Sequence, residues 1–131
     1  MKIELAKKEI IHFIGIGGIG MSGLALIMKS KGFQIQGSDI NKNKNIEKLK
    51  KQGVRIFIGH KKQNIKDVTI VVISSAIKKS NPELIEAKKK QLPIYKRGEM
   101  LANIVSLTKN IVVVGSHGKT TTTSLIASIF Q

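Results

Sequence analysis

The chain has 131 residues, 41% of them hydrophobic, enough for one domain with an ordinary core and too few for two complete ones. Lys and Arg outnumber Asp and Glu by 23 to 8, but only Arg55 and Arg97 are arginine and aromatic residues make up 4%, so the charge reads as solvated lysine faces and no specific nucleic-acid partner is expected. No apolar run approaches the roughly 18 residues that span a bilayer, no cysteine is present for a disulfide or thiolate metal site, and the acid-bearing first residues do not form a secretion signal. The expected location is the cytoplasm, without membrane insertion.

Residues 10–14 form an apolar run that enters Gly15, Gly17, Gly18 and Gly20, with Ile16 and Ile19 between them. An apolar helical pattern follows to residue 30. Strand, glycine turn and helix in that order leave backbone N–H groups at a helix N-terminus, where the dipole also favours negative charge, so the turn is a candidate phosphate site. Asp39 follows Gly20 by 19 residues, the separation expected of an acid that contacts a ribose.

Residues 33–37 alternate as a second strand, with Ser38 and Asp39 at its carboxyl end. A polar helix over 45–52 is held by Ile46 and Leu49. A third strand over 54–58 leads to Gly59 and His60, and a continuous apolar run over 68–73 predicts a strand buried on both faces, ending in Ser74 and Ser75. Ser80 to Glu83 has the spacing of a capping box and predicts a helix through Lys90. Residues 92–95 form a short edge strand, because Pro93 cannot donate to a ladder, and Lys96 and Arg97 open another helix. This alternation predicts an α/β, Rossmann-like parallel sheet with helices on both faces, whose ligands bind beyond the carboxyl ends of the strands.

A second glycine loop closes the sequence. Residues 110–114 predict another buried strand, which runs into Gly115, Ser116, His117, Gly118, Lys119, Thr120 and Thr121. The chemistry is that of a P-loop: backbone N–H groups approach phosphate oxygens, a lysine neutralises the terminal phosphates and the next hydroxyl can hold Mg²⁺. Two residues rather than four separate Gly115 from Gly118. One strand and one helix cannot bury their own faces, so residues 1–108 read as one domain and 109–131 as the first unit of another, with the boundary near Thr108 and Lys109.

The glycine turn from His12 to Gly23, Gly37-Ser38-Asp39, Ser74-Ser75-Ala76-Ile77, Arg97-Gly98-Glu99-Met100-Leu101 and the loop from Gly115 to Thr123 together resemble the Mur ligases of peptidoglycan synthesis, and among them those that join L-alanine to UDP-N-acetylmuramate. Gly98 stands where that family often has alanine, and Ser116 where threonine is common. The resemblance implies a first domain that binds the UDP part of the substrate and a central ATPase domain that begins at the second loop. It implies an ATP-dependent amide ligation through an acyl phosphate, with Lys119 as the catalytic cation and Thr120 as the Mg²⁺ ligand. Gly115, Ser116, His117, Gly118, Lys119, Thr120 and Thr121 would bind ATP. The UDP part would meet Gly15, Gly17, Gly18, Ile19 and Gly20 through the diphosphate. Ser38, Asp39, His60, Ser74 and Ser75 would lie around the uridine, and Arg97 would add a charge-assisted contact. The remainder of such a ligase is missing from the sequence, so the 131 residues alone are expected to bind UDP-substrate without completing catalysis. A nicotinamide-binding Rossmann domain explains the first half but leaves the second loop unused. A regulatory nucleotide-binding module is the other alternative.

Overall fold

A computed structural model of the protein describes residues 5–115, with side chains through residue 107. Five parallel strands form one sheet in the order β3-β2-β1-β4-β5. These are β1 (Ile10–Ile14), β2 (Gln34–Asp39), β3 (Arg55–Ile58), β4 (Ile70–Ile73) and β5 (Ile94–Lys96). Helices α1 (Ile19–Ser30), α2 (Lys44–Lys51), α3 (Pro82–Lys89) and α4 (Arg97–Gly115) connect or follow them, with a short 3₁₀ turn over Lys62–Ile65. The strand order reverses between β1 and β4, which puts a crevice beyond their carboxyl ends. Among the described residues no helix is long and apolar enough to cross a membrane.

Side chains alternate across a strand, so each strand supplies both faces of the sheet. On one face Ile11, Phe13, Ile35, Ile70 and Val72 meet Met21, Leu24, Ala25 and Met28 of α1, Ile46 and Leu49 of α2, and Met100 and Ile104 of α4. The α1 residues fall at i, i+3, i+4 and i+7, the stripe a helix needs to lie on a sheet. On the other face Ile14, Val71, Leu84 and Ala87 form a smaller core with Ile65 and Val68. Between these apolar residues the second face carries a polar stripe. His12 of β1 stands opposite Gln36 of β2, and Ile14 opposite Ser38. The helix α3 must therefore cover buried polar groups as well as apolar ones.

The helix expected after Ser80 starts one residue later and is capped differently. Asn81 is the N-cap, its Oδ1 accepting from Glu83 N–H at 2.9 Å and Leu84 N–H at 3.4 Å, with Pro82 in the first turn. The Glu83 carboxylate turns inward to the polar stripe instead of closing a capping box. The strand expected over 110–114 is not formed: α4 continues through it to Gly115 and across the expected boundary at Thr108 and Lys109. A strand needs neighbouring strands for its N–H and C=O groups, whereas a helix satisfies them internally at a propensity cost of only about 0.5 kcal/mol per β-branched residue. Residues 116–131, with Ser116, His117, Gly118, Lys119, Thr120 and Thr121, lie outside the described residues.

Gly37 is where the first turn crosses onto β2. A Cβ built there would lie 2.5 Å from Ile16 Cδ1, 2.6 Å from Ile16 Cβ and 2.8 Å from the Phe13 carbonyl oxygen. Ile16 is fully buried at this point and cannot retreat. Gly37→Ala should therefore destabilise the fold by about 1–3 kcal/mol, as overpacking does, seen as a lower urea midpoint. An unchanged midpoint would show that the crossing is looser than described.

Candidate functional site

The carboxyl ends of β1, β2 and β4 bring together most of the residues expected from the sequence. The turn after β1 is built by its backbone. Gly15, at φ +86°, donates its N–H to the Ser38 carbonyl at 2.9 Å, and Ile16 donates to the same oxygen at 3.0 Å. The peptide groups on either side of Gly17 are then fixed from β2 and the loop beyond it. Gly17 N–H donates to Asp39 Oδ2 at 2.7 Å, while the Gly17 carbonyl accepts from Asn45 Nδ2 at 2.9 Å and Asn43 Nδ2 at 3.2 Å. Asp39 Oδ1 accepts from Ile40 N–H at 2.8 Å. The acid expected at a ribose thus also braces the glycine turn, and Asn43 and Asn45 join it with no motif to announce them.

The helix α1 begins at Ile19 with no side-chain cap at Gly18 and no acid in its first turn. Arg97, from the far side of the crevice, leans onto this end. A Cβ on Gly20 would lie 2.9 Å from Arg97 Nε and 3.1 Å from Cζ, so the absence of a side chain there lets the guanidinium approach the helix. Its backbone is held in turn, because Lys96 N–H donates to Glu99 Oε1 at 2.8 Å where β5 becomes α4. A cation resting on the positive end of a helix dipole is an arrangement that an anion between them would stabilise. Ile19, 90% exposed, stands beside it. Ser74 and Ser75 lie with Lys79, Lys88, Lys96 and Arg97 around a cavity of about 710 Å³ whose floor includes Ile73 and Leu84. Ser74 Oγ and Ile77 come close to Gly15, so the loop after β4 borders the turn.

Ser38 and His60 belong to a different layer. Ser38 is fully buried, and its hydroxyl donates to Glu83 Oε1 at 2.6 Å and lies 2.9 Å from His60 Nδ1. His12 Nε2 is 2.7 Å from the same Glu83 oxygen, and Glu83 Oε2 accepts from Asn64 Nδ2 at 2.7 Å and from Lys61 N–H at 3.1 Å. One buried carboxylate therefore collects donors from β1, β2, the loop after β3 and the 3₁₀ turn. His60 keeps one edge on this network while lining a cavity of about 310 Å³ with Ile40, Ala76, Ile77 and Pro82. His12, Gln36, Asn64 and Glu83 were not among the expected site residues; a polar pair within two apolar strands was the available signal.

Burial pushes the Glu83 carboxyl up, but hydrogen bonds from His12, Ser38 and Asn64, with the electrostatic attraction of the His12 ring, outweigh it and hold the group below its ordinary 4.5. The folded protein then binds fewer protons than the unfolded chain. The carboxylate contributes stability that is fully present above about pH 4.5 and is lost as pH falls through the lower folded value. Glu83→Gln should lower the urea midpoint at neutral pH by the equivalent of about 1–3 kcal/mol and flatten its dependence on pH below 4.5. A variant with the wild-type acid slope would contradict this assignment.

Residues 10–109 match the family model described as "Mur ligase family, catalytic domain". The chain is 80% identical over 131 residues to the UDP-N-acetylmuramate–L-alanine ligase of Pelagibacter ubique, a match covering all of this chain and 28% of that relative. It is 56% identical over 121 residues to the enzyme of the same name from Rickettsia typhi, covering 92% of this chain and 24% of the relative. Among solved structures, the UDP-N-acetylmuramate–alanine ligase of Thermotoga maritima superposes with a TM-score of 0.68 at 37% identity, over 77% of this chain and 23% of that one. The chain thus spans about a quarter of the length of the curated relatives it matches. With a glycine turn, a switch-point crevice and a family match over residues 10–109, this chain belongs to the Mur ligase family.

Proposed function

We propose that residues 1–108 bind the UDP part of UDP-N-acetylmuramate, within a ligase that joins L-alanine to that sugar nucleotide at the expense of ATP. The observation that carries this reading is Arg97 laid over Gly20 at the uncapped start of α1. Three positive features share that place: the first-turn N–H groups of α1, its dipole and a guanidinium. A diphosphate offers the charge and the several acceptor oxygens that such a place needs. Gly17 N–H is already engaged by Asp39, so the donors for the diphosphate are those that follow, from Ile19 onward, with Arg97 opposite. Asp39, with Oδ2 on the Gly17 N–H and Oδ1 on the Ile40 N–H, sits where a ribose hydroxyl can donate to its remaining lone pairs. Ser74 and Ser75 border the same crevice. Ser38 serves it from behind through His60.

The relatives' names support ligation of alanine, and the second loop supports the use of ATP. In this reading residues 109–131 open the ATP-binding domain, Gly115 to Thr121 cradle the phosphates, Lys119 neutralises charge on the transferring group and Thr120 holds Mg²⁺. A cytoplasmic location, alongside the nucleotide substrates, is part of this reading.

Titration of the 131-residue chain with UDP-N-acetylmuramate should shift the amide resonances of Ile19, Gly20 and Met21 in proportion to occupancy. Arg97→Ala should weaken binding by about 10- to 100-fold, the range of a charge-assisted hydrogen bond, while leaving the thermal midpoint unchanged because the side chain is exposed. NADH at the same concentrations should move none of these resonances. Wild-type affinity in the Arg97 variant, or equal shifts with NADH, would overturn the reading.

A further inference from the structure

The protons of the Glu83 network can be followed from one fixed point. Gln36 Nε2 donates to the Asn64 carbonyl at 2.9 Å, and a carbonyl can only accept, so the amide nitrogen faces that way. The same nitrogen lies 2.8 Å from His12 Nδ1, which therefore accepts, leaving the His12 proton on Nε2 for Glu83. The Ser38 hydroxyl has a single proton, and the Glu83 carboxylate at 2.6 Å takes it. Ser38 Oγ can then only accept from His60 Nδ1 at 2.9 Å. In neutral His60 the proton is thereby confined to Nδ1, and Nε2 carries a lone pair.

That lone pair belongs to a residue that lines the 310 Å³ cavity, whose other walls include Ile40, Ala76, Ile77 and Pro82. Lys78, Ser80 and Asn81 complete its lining, and the apolar groups suit the faces of a planar ring. The cavity adjoins the glycine turn on two sides. Ile40 follows Asp39, which holds Gly17, and Ile77 packs toward Gly15. A nucleotide with its diphosphate at α1 and its ribose at Asp39 would bring its base here.

We propose that Glu83 is a positioning residue that presets His60 as a hydrogen-bond acceptor, so that the cavity selects a base with a ring N–H donor, the imide of uracil, over cytosine. Cytosine presents a lone pair at the corresponding ring nitrogen, and two acceptors facing each other leave both unpaired in a partly desolvated slot. The proposal rests on the reading of the crevice as a UDP site and adds the group that tells one pyrimidine from another.

The test compares UDP, N3-methyl-UDP and CDP by calorimetry on the 131-residue chain at about pH 8.5, above the ordinary histidine range, together with long-range ¹⁵N spectra of the imidazoles. UDP should bind at least about tenfold more tightly than the other two, a difference one buried hydrogen bond can supply. The spectra should show His60 protonated at Nδ1 only, and His60→Ala should bind all three ligands alike. Glu83→Gln should admit the other His60 tautomer and reduce the preference for UDP. The wild-type spectrum reads the tautomer even if that variant does not fold. Equal affinities for the three ligands, or a His60 proton on Nε2, would overturn the proposal while leaving the UDP site standing. Failure of UDP itself to bind would overturn both.

Discussion

The structure depends on how closely three chain segments approach one another at the first glycine turn. Asp39 Oδ2 reaches the Gly17 N–H at 2.7 Å, and a Cβ on Gly17 would lie at that same 2.7 Å from the oxygen. Arg97 approaches α1 over Gly20, and Ile16 passes through the space left at Gly37. Remove the openings at these glycines and the acid, the guanidinium and the turn cannot share one corner of the sheet. What results is a fixed backbone with a cation above it and a helix start that lacks its own cap. For the proposed diphosphate site, this geometry leaves little of the binding energy to be spent on rearrangement.

The wall of the crevice has a separate support. A carboxylate taken out of water costs several kcal/mol unless its oxygens are filled, and Glu83 is filled by His12, Ser38, Asn64 and the Lys61 N–H. These donors come from elements far apart in sequence, so ionised Glu83 fixes the loop after β3 against the sheet. Fold and site are coupled here: the polar stripe that would weaken an apolar core becomes the frame that orients His60.

The sheet was legible because its signals are local and periodic. The apolar run of residues 68–73, the glycine turn after residues 10–14 and the alternation of strands with helices each name an element without knowledge of the rest. The sites at strand ends followed from topology, which is why Asp39, Ser74 and Arg97 could be placed near one crevice. Roles were harder to read. Glu83 carries the spacing of a capping residue, and only the register of His12 opposite Gln36 shows that it is needed inside. Ser38 sits at the expected strand end but faces the buried side. Residues 110–114 have strand composition, yet composition does not supply neighbouring strands, and the helix continues through them.

In the proposed function the start of α1 and Arg97 form the diphosphate site of a UDP-sugar. A crystal structure of the chain with UDP-N-acetylmuramate tests it most directly. Diphosphate oxygens should lie within hydrogen-bond distance of the first-turn N–H groups of α1 and of the Arg97 guanidinium. A sugar nucleotide bound with its diphosphate away from the glycine turn would contradict it.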